Sequence, residues 1–281
     1  MRLWYHLAME TSLSQNNPAR ADKLAFYLLK AINKANRRYR MLADSDVVLV
    51  AVSGGKDSLS LLDLLHRRRR TVRERYTLVA GHVVSDKNCG RAVPLDWLRG
   101  YCEGRDIPLV TEPIEIAEEL ATTSSSKCYR CAWNRRKALF RIAERLGCNK
   151  LAFGHHADDI VQTTLMNLFY SGRVALMEPK MLFFTGKLTV IRPMAFVEER
   201  DIVPFVKASG FPIEGEPCPE GLLSQRNTVK GILRELERDS RGVKRSIYHA
   251  LDRNRTALER AQSAARQQLA STTVNEEGSG D

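Results

Sequence analysis

No apolar run in this sequence approaches the roughly 20 residues that a membrane-spanning helix needs, so a soluble protein is expected. The opening residues Met1 to Tyr5 carry one arginine and lead into polar sequence without a long apolar core, unlike a secretory signal. The expectation is therefore a cytoplasmic protein of a prokaryote. No segment repeats at a fixed period, which excludes solenoids and propellers. The Gly-x-x-x-x-Gly-Lys-Ser/Thr spacing of a Walker A loop is missing too, so any nucleotide site must be built differently. Cysteine is sparse: Cys89, Cys102, Cys128, Cys131, Cys148 and Cys218 are all there are. In a reducing compartment disulfides are not expected, and clustered cysteines there serve as metal ligands or redox groups.

Acidic residues are in deficit. The chain has 33 Asp and Glu against 44 Lys and Arg, a formal charge of +11. Such a surplus favours polyanionic partners, nucleic acid above all, although a merely basic surface gives the same count. The candidate RNA contacts are Lys34, Arg37 and Arg38, the run Arg67 to Arg70, the pair Arg135 and Arg136, and Arg226. A charge run of this kind is also what a solvated face looks like.

Apolar periodicity sets the layout. Ala21 to Arg40 reads as an amphipathic helix, and Val47 to Val52 as a short, fully buried parallel strand. A glycine-rich turn and a leucine-rich helix follow at once. Strands are expected at 77–84, 107–111 and 150–153. Helices are expected at 93–104, 115–120, 132–146 and 158–170, the third stopped by Gly147. This alternation predicts an α/β fold with a parallel sheet. Lys180–Phe184 and Lys187–Arg192 flank Thr185-Gly186 and read as a hairpin. Helices at 198–209, 222–238 and 245–268 complete the chain. The expected organisation is a flexible segment at 1–20, one domain at 21–265 and a disordered tail at 266–281.

Ser53-Gly54-Gly55-Lys56-Asp57-Ser58 lies between the first strand and its helix. Glycines let backbone amides approach a phosphate, and a helix N-terminus adds partial positive charge. Ser53 and Ser58 can donate hydroxyl hydrogen bonds, Lys56 can neutralise phosphate, and Asp57 can hold magnesium. The string resembles the PP-loop signature. That resemblance implies ATP cleaved between its α and β phosphates, with pyrophosphate leaving from the loop and AMP passing to the substrate.

Cys128-Tyr129-Arg130-Cys131 lets two thiolates converge on one metal or cluster, and Cys218 stands far downstream between two prolines. Three thiols fall short of a four-ligand structural zinc site but suffice for a cubane cluster with one exposed iron. A redox or persulfide dithiol at Cys128 and Cys131, or three inert buried thiols, fit the spacing as well. Cys102 and Cys148 read as structural, and Cys89 as a minor candidate for carrying sulfur.

Gly154-His155-His156-Ala157-Asp158-Asp159 follows a strand and opens a helix, where a parallel sheet lines its ligand crevice. Asp159 and His155 are expected beside the phosphate turn, with Asp158 available as the cap of its own helix. Asp86, ending the second strand, either reaches the nucleotide or starts a turn. With these pieces, the chain resembles the tRNA 2-thiocytidine biosynthesis proteins, the Fe–S-dependent PP-loop sulfurtransferases. Further matches run through Asn167–Gly172, Pro179–Leu182, Ile191–Ala195, Glu199–Ile202, Gly210–Ile213 and Pro217-Cys218, so the likeness covers about residues 22–251.

The resemblance implies an adenine nucleotide alpha hydrolase-like, Rossmann-like PP-loop domain with helical additions. It implies nucleotide contacts at Ser53 to Ser58, Asp86, Gly154, His155 and Asp159, with Lys56, Asp57 and Asp159 as the catalytic groups and Mg2+ near the acids. It implies a [4Fe-4S] cluster on Cys128, Cys131 and Cys218, tRNA contacts at Arg226, Arg135 and Arg136, an external sulfur donor such as a cysteine desulfurase, and a homodimer. The expected reaction adenylates a base carbonyl, most simply that of cytidine, and replaces its oxygen with sulfur delivered through the cluster. The family often has a second cysteine where Gly221 stands here, and residues 87–123 match poorly, which leaves room for a different thiolated base or a small molecule. An amide-forming ligase would need no cysteine triad. A non-catalytic sensor would need neither Lys56, Asp57 nor Asp159.

Overall fold

The computed structural model describes residues 16–255, apart from 88, 89, 91, 125, 174, 175 and 217. Expectations placed on the chain ends and on Cys89 lie outside these residues. Six strands form one sheet in the order β3-β2-β1-β4-β6-β5. They are β1 (Val47–Ala51), β2 (Thr77–Ser85), β3 (Leu109–Ile114), β4 (Lys150–Ala152), β5 (Lys180–Phe183) and β6 (Leu188–Ile191). All neighbours pair in parallel except β5 with β6, which form the expected hairpin around a turn at Phe184–Gly186.

The apolar run of β1 feeds two cores at once, because successive side chains point to opposite faces. Val48 and Val50 pack on one face with helices α1 (Pro18–Tyr39), α2 (Lys56–Arg69), α3 (Leu95–Glu103) and α7 (Glu199–Ser209). Leu49 and Ala51 pack on the other face against Leu139 and Ile142 of α5 (Lys127–Arg145). A strand buried on both faces has no room for a polar alternate, which is why β1 reads as continuous Val, Leu and Ala. A third, smaller cluster joins α6 (Ala157–Ser171) to α9 (Gln225–Asp239) and to Tyr248 of helical residues 243–255.

From β1 the chain builds β2 and β3 to one side, then returns to lay β4 on the other. That reversal opens a crevice beyond the carboxyl ends of β1 and β4, the place where open α/β sheets bind ligands. The phosphate turn follows β1, and Gly154 to Asp159 follow β4, so both motifs face the crevice.

Two helix boundaries depart from the sequence reading. The helix expected from Ala132 begins at Lys127, because the Ser126 hydroxyl accepts from the Tyr129 amide and caps it. Cys128 and Cys131 consequently lie in its first turn. The helix expected over 222–238 begins three residues later, at Gln225, as α9, since the Ser224 hydroxyl accepts from Asn227 N and caps it; a separate short helix, α8 (Pro219–Leu222), precedes it. The remaining helix, α4 (Ala117–Thr122), is short and follows β3.

Candidate active site

The phosphate turn is fixed by its own hydroxyls. Ser58 Oγ accepts from Ser53 N at 3.1 Å and donates to Gly55 O at 3.0 Å, and the two serine hydroxyls are 3.1 Å apart. Gly54 has φ of +83°, and a Cβ there would stand 2.9 Å from that of Ala92, so only glycine fits. Gly154 is required for a different reason. A Cβ on it would lie 2.9 Å from the Asp57 carbonyl, so the β4–α6 turn presses directly on the first turn of α2. This contact brings the two motifs together.

An inner pocket of about 310 Å³ is lined by Ser53, Asp57, Ser58, His155, Asp159 and Arg135, among others. Arg135 donates to Val83 O at 3.4 Å from one wall. His155 packs by Phe153, and its buried Nδ1 has no hydrogen-bond partner among the described residues. Burial pushes the His155 imidazole down to about 4, against the pull of Asp159, so it is neutral at physiological pH. His156 is buried between carboxylates, with Nε2 3.7 Å from Asp57 Oδ1 and 3.4 Å from Asp159 Oδ2. Burial alone would raise the Asp159 carboxyl. The two histidines, the His156 amide and Arg226 outweigh it and hold that carboxyl below the usual range.

An outer cleft of about 1150 Å³ continues from Lys56, Asp57 and Asp159 to Cys128, Tyr129 and the α8–α9 segment. Lys56 Nζ lies 2.8 Å from the Asp57 carboxylate and 3.0 Å from Glu199 Oε1. Burial opposes its charge, but these two carboxylates raise its pKa above the ordinary lysine value. Glu199 is gripped from the other side by Lys230 at 2.8 Å. Despite burial, Lys230 and Lys56 hold the Glu199 carboxyl down at about 2. Lys230 and Arg226 both belong to α9, which is thereby tied to Glu199 of α7 and to Asp159 of α6.

Several expected site residues are engaged by other groups of the protein. Arg226, read as an RNA contact, donates to Asp159 Oδ1 at 3.1 Å and to Thr163 Oγ1 at 3.0 Å, so it orients the acidic group. The Asp86 carboxylate accepts from the amides of Ile116 and Ala117 and caps α4; it is not among the residues lining either cavity. Asp158 does not cap its own helix, whose cap position is His156. It accepts instead from the Glu199 amide at 2.8 Å and from Lys244 Nζ at 2.6 Å. Arg136 is exposed and stands near Arg192, whose guanidinium burial and Arg136 together push down to about 10. Glu199 and Lys230 carried no role in the sequence reading. The signal for Glu199 was its place at the start of a helix, which says nothing about Lys56 without the fold.

Cys128, Cys131 and Cys218 are each half-buried. Burial, then Cys218, Glu220 and Cys131, push the Cys128 thiol up, so Cys218 and Cys131 each lie within electrostatic reach of it. An ion pair from Lys127 to Glu220 at 3.2 Å joins the segments that carry them. Among the described residues no three His, Cys, Asp or Glu side chains close on one point as a single metal ion requires. Cys102 and Cys148 are buried in the two cores, as structural thiols should be.

Residues 27–236 match the PP-loop domain family. A tRNA-cytidine(32) 2-sulfurtransferase of Geobacter sulfurreducens is 40% identical over 236 residues, covering 82% of this chain and 91% of that protein. Its counterpart in Syntrophotalea carbinolica is 39% identical over 237 residues, covering 83% and 91%. Among solved structures, the U34-tRNA thiolase NcsA from Methanococcus maripaludis with its [4Fe-4S] cluster superposes with a TM-score of 0.67 at 24% identity, covering 83% of this chain and 79% of that one. A family model that matches most of the chain, with identity at this level across nearly the whole length of these relatives, means that the chain belongs to the PP-loop family, in the branch of the tRNA-cytidine(32) 2-sulfurtransferases.

Proposed function

We propose that this protein is an ATP-dependent tRNA sulfurtransferase that adenylates the C2 carbonyl oxygen of a cytidine and replaces it with sulfur. The observation that carries the reading is the outer cleft, where the Cys128 thiol, within reach of Cys131 and Cys218, opens onto the same space as Lys56 and Asp57. Activation and sulfur delivery need such a shared chamber, because an adenylated base left in water would hydrolyse.

ATP fits with its phosphates over the turn, where the Ser53–Gly55 backbone and the α2 N-terminus favour negative charge. Lys56 neutralises charge developing on the leaving pyrophosphate. The carboxylates of Asp57 and Asp159, both near His156, suit Mg2+, which takes one or two carboxylates and completes its shell with phosphate oxygens. Neutral His155 offers a hydrogen bond in the inner pocket without competing for the phosphates. The exposed Tyr129 ring at the rim gives the target base a stacking face, worth about 1–3 kcal/mol per base.

Cys131 and Cys218 both lie within electrostatic reach of Cys128, and three thiols suffice for a cubane cluster with one exposed iron. A [4Fe-4S] cluster held by Cys128, Cys131 and Cys218 would supply an iron site open to sulfur. The sulfur itself comes from an external donor, such as a cysteine desulfurase, and a homodimer is the expected assembly.

Mass spectrometry of tRNA nucleosides from cells with and without the gene tests the reading. Selective loss of 2-thiocytidine supports it. Unchanged 2-thiocytidine refutes the choice of base.

A further inference from the structure

A second cleft lies on the opposite face of α6. It encloses about 610 Å³ between α1, the first turns of α6 and helical residues 243–255. Val161, Phe196 and Tyr248 give it an apolar floor. Its three carboxylates are already engaged. Asp158 is held by Lys244 and the Glu199 amide, Glu198 by Arg200, and Asp252 by the Tyr39 hydroxyl and Arg255.

The cations are not balanced in the same way. Lys34 Nζ sits 5.2 Å from the Phe196 ring centroid, a contact that leaves its charge unneutralised. Arg37 and Arg245 make no hydrogen bond or ion pair among the described residues. All three side chains are exposed. The cleft is therefore net positive: its three acids are engaged, while Lys34, Arg37 and Arg245 among its cations carry no ion pair among the described residues. Lys34 and Arg37 stand on α1, and Arg245 faces them from 243–255. Charges on two facing helices follow a chain of phosphates rather than cradle a single anion.

We propose that this cleft docks the phosphodiester backbone of the RNA substrate, at a site separate from the chamber where ATP reacts; this rests on the tRNA reading above. Its position supports that occupant. Ala157, Asp158 and Val161 of α6 face this cleft, while Asp159, Gln162 and Met166 of the same helix face the reaction chamber. The two spaces are thus about one helix diameter, roughly 10 Å, apart. An RNA strand gripped here is held within a short span of the base presented to Cys128 and Lys56.

The test measures tRNA affinity of the full-length protein against salt for wild type, for the double variant R37E/R245E, and for R73E/R99E, a charge-matched control at two exposed arginines elsewhere. Wild-type affinity falls steeply with salt. R37E/R245E weakens binding about tenfold or more and flattens the log–log salt slope by about 1.5, because two phosphate contacts are lost. The control changes affinity less than threefold, and all three proteins bind ATP alike. Equal losses in the two double variants overturn the docking site while leaving the reaction assignment intact. Intact tRNA affinity in R37E/R245E with slower sulfur transfer from a protein donor also overturns it, and gives the cleft to an acidic protein. No tRNA binding by the wild type removes the sulfurtransferase reading together with the docking site.

Discussion

Glu199 stands between two ammonium groups, and replacing it with glutamine gives a quantitative test of how the nucleotide loop is held. The carboxylate lies 3.0 Å from Lys56 Nζ and 2.8 Å from Lys230 Nζ, with 21% of its side chain exposed. Depression of its pKa from 4.5 to about 2 corresponds to roughly 3 kcal/mol at 1.36 kcal/mol per pH unit. Water reaches a fifth to a third of each partner, so about 1–2 kcal/mol of net stability is expected at pH 7. Because the folded pKa is depressed, this contribution is complete above about 4.5 and is lost as pH falls toward about 2. Urea unfolding of E199Q is therefore expected to show the deficit at pH 7 and progressively less of it below pH 4.5. The substitution also leaves Lys56 and Lys230 with no charge between them and loosens the Lys56 side chain, which keeps only its contact with Asp57 at 2.8 Å. Ordering it again at the transition state costs up to about 2 kcal/mol, so kcat/KM for AMP formation drops about tenfold. A variant as stable as wild type at pH 7 that forms AMP at the wild-type rate would refute the idea that Glu199 positions Lys56.

Three further outcomes follow from the same geometry. Lys56→Ala is expected to abolish AMP release while costing less stability than E199Q, because Lys230 still pairs with Glu199; measurable turnover removes its role. Gly154→Ala forces a Cβ to within 2.9 Å of the Asp57 carbonyl, so about 1–3 kcal/mol of stability and most ATP affinity should be lost together, as calorimetry and denaturation would register. Cys218→Ser is expected to lose iron and acid-labile sulfide after anaerobic reconstitution yet still bind ATP. Full metal content in that variant would exclude Cys218 as a ligand.

The strand–turn–helix around Ser53 to Ser58 was legible because glycine spacing and a buried strand are local signals. The parallel order and the hairpin followed from periodicity and from Thr185-Gly186. What escaped was where side chains point across the fold. Arg226 reads as a surface cation because sequence shows its charge and not Asp159, 67 residues earlier, to which it is bound. Asp86 reads as a ligand because it ends a strand, but the α4 amides that claim it come from a helix 30 residues on. Glu199 is one acid among several at the start of a helix, and only the packing of α7 beside α2 gives it Lys56. The start of α9 was placed three residues early because a serine cap is a weaker signal than a glycine or proline.

Asp158 and Asp159 are chemically identical neighbours with opposite duties. Asp159 faces the reaction chamber, while Asp158 accepts from the amide of Glu199, the residue that holds Lys56. Asparagine at 158 keeps the acceptor for that amide and surrenders only the Lys244 ion pair, whereas at 159 it removes the charge facing the chamber. The two neighbours therefore point apart at the α6 N-terminus: Asp159 lines the cleft beside Lys56, and Asp158 holds the first amide of α7, the helix that carries Glu199. Drift at position 158 would misalign Lys56 without altering a single atom in contact with ATP.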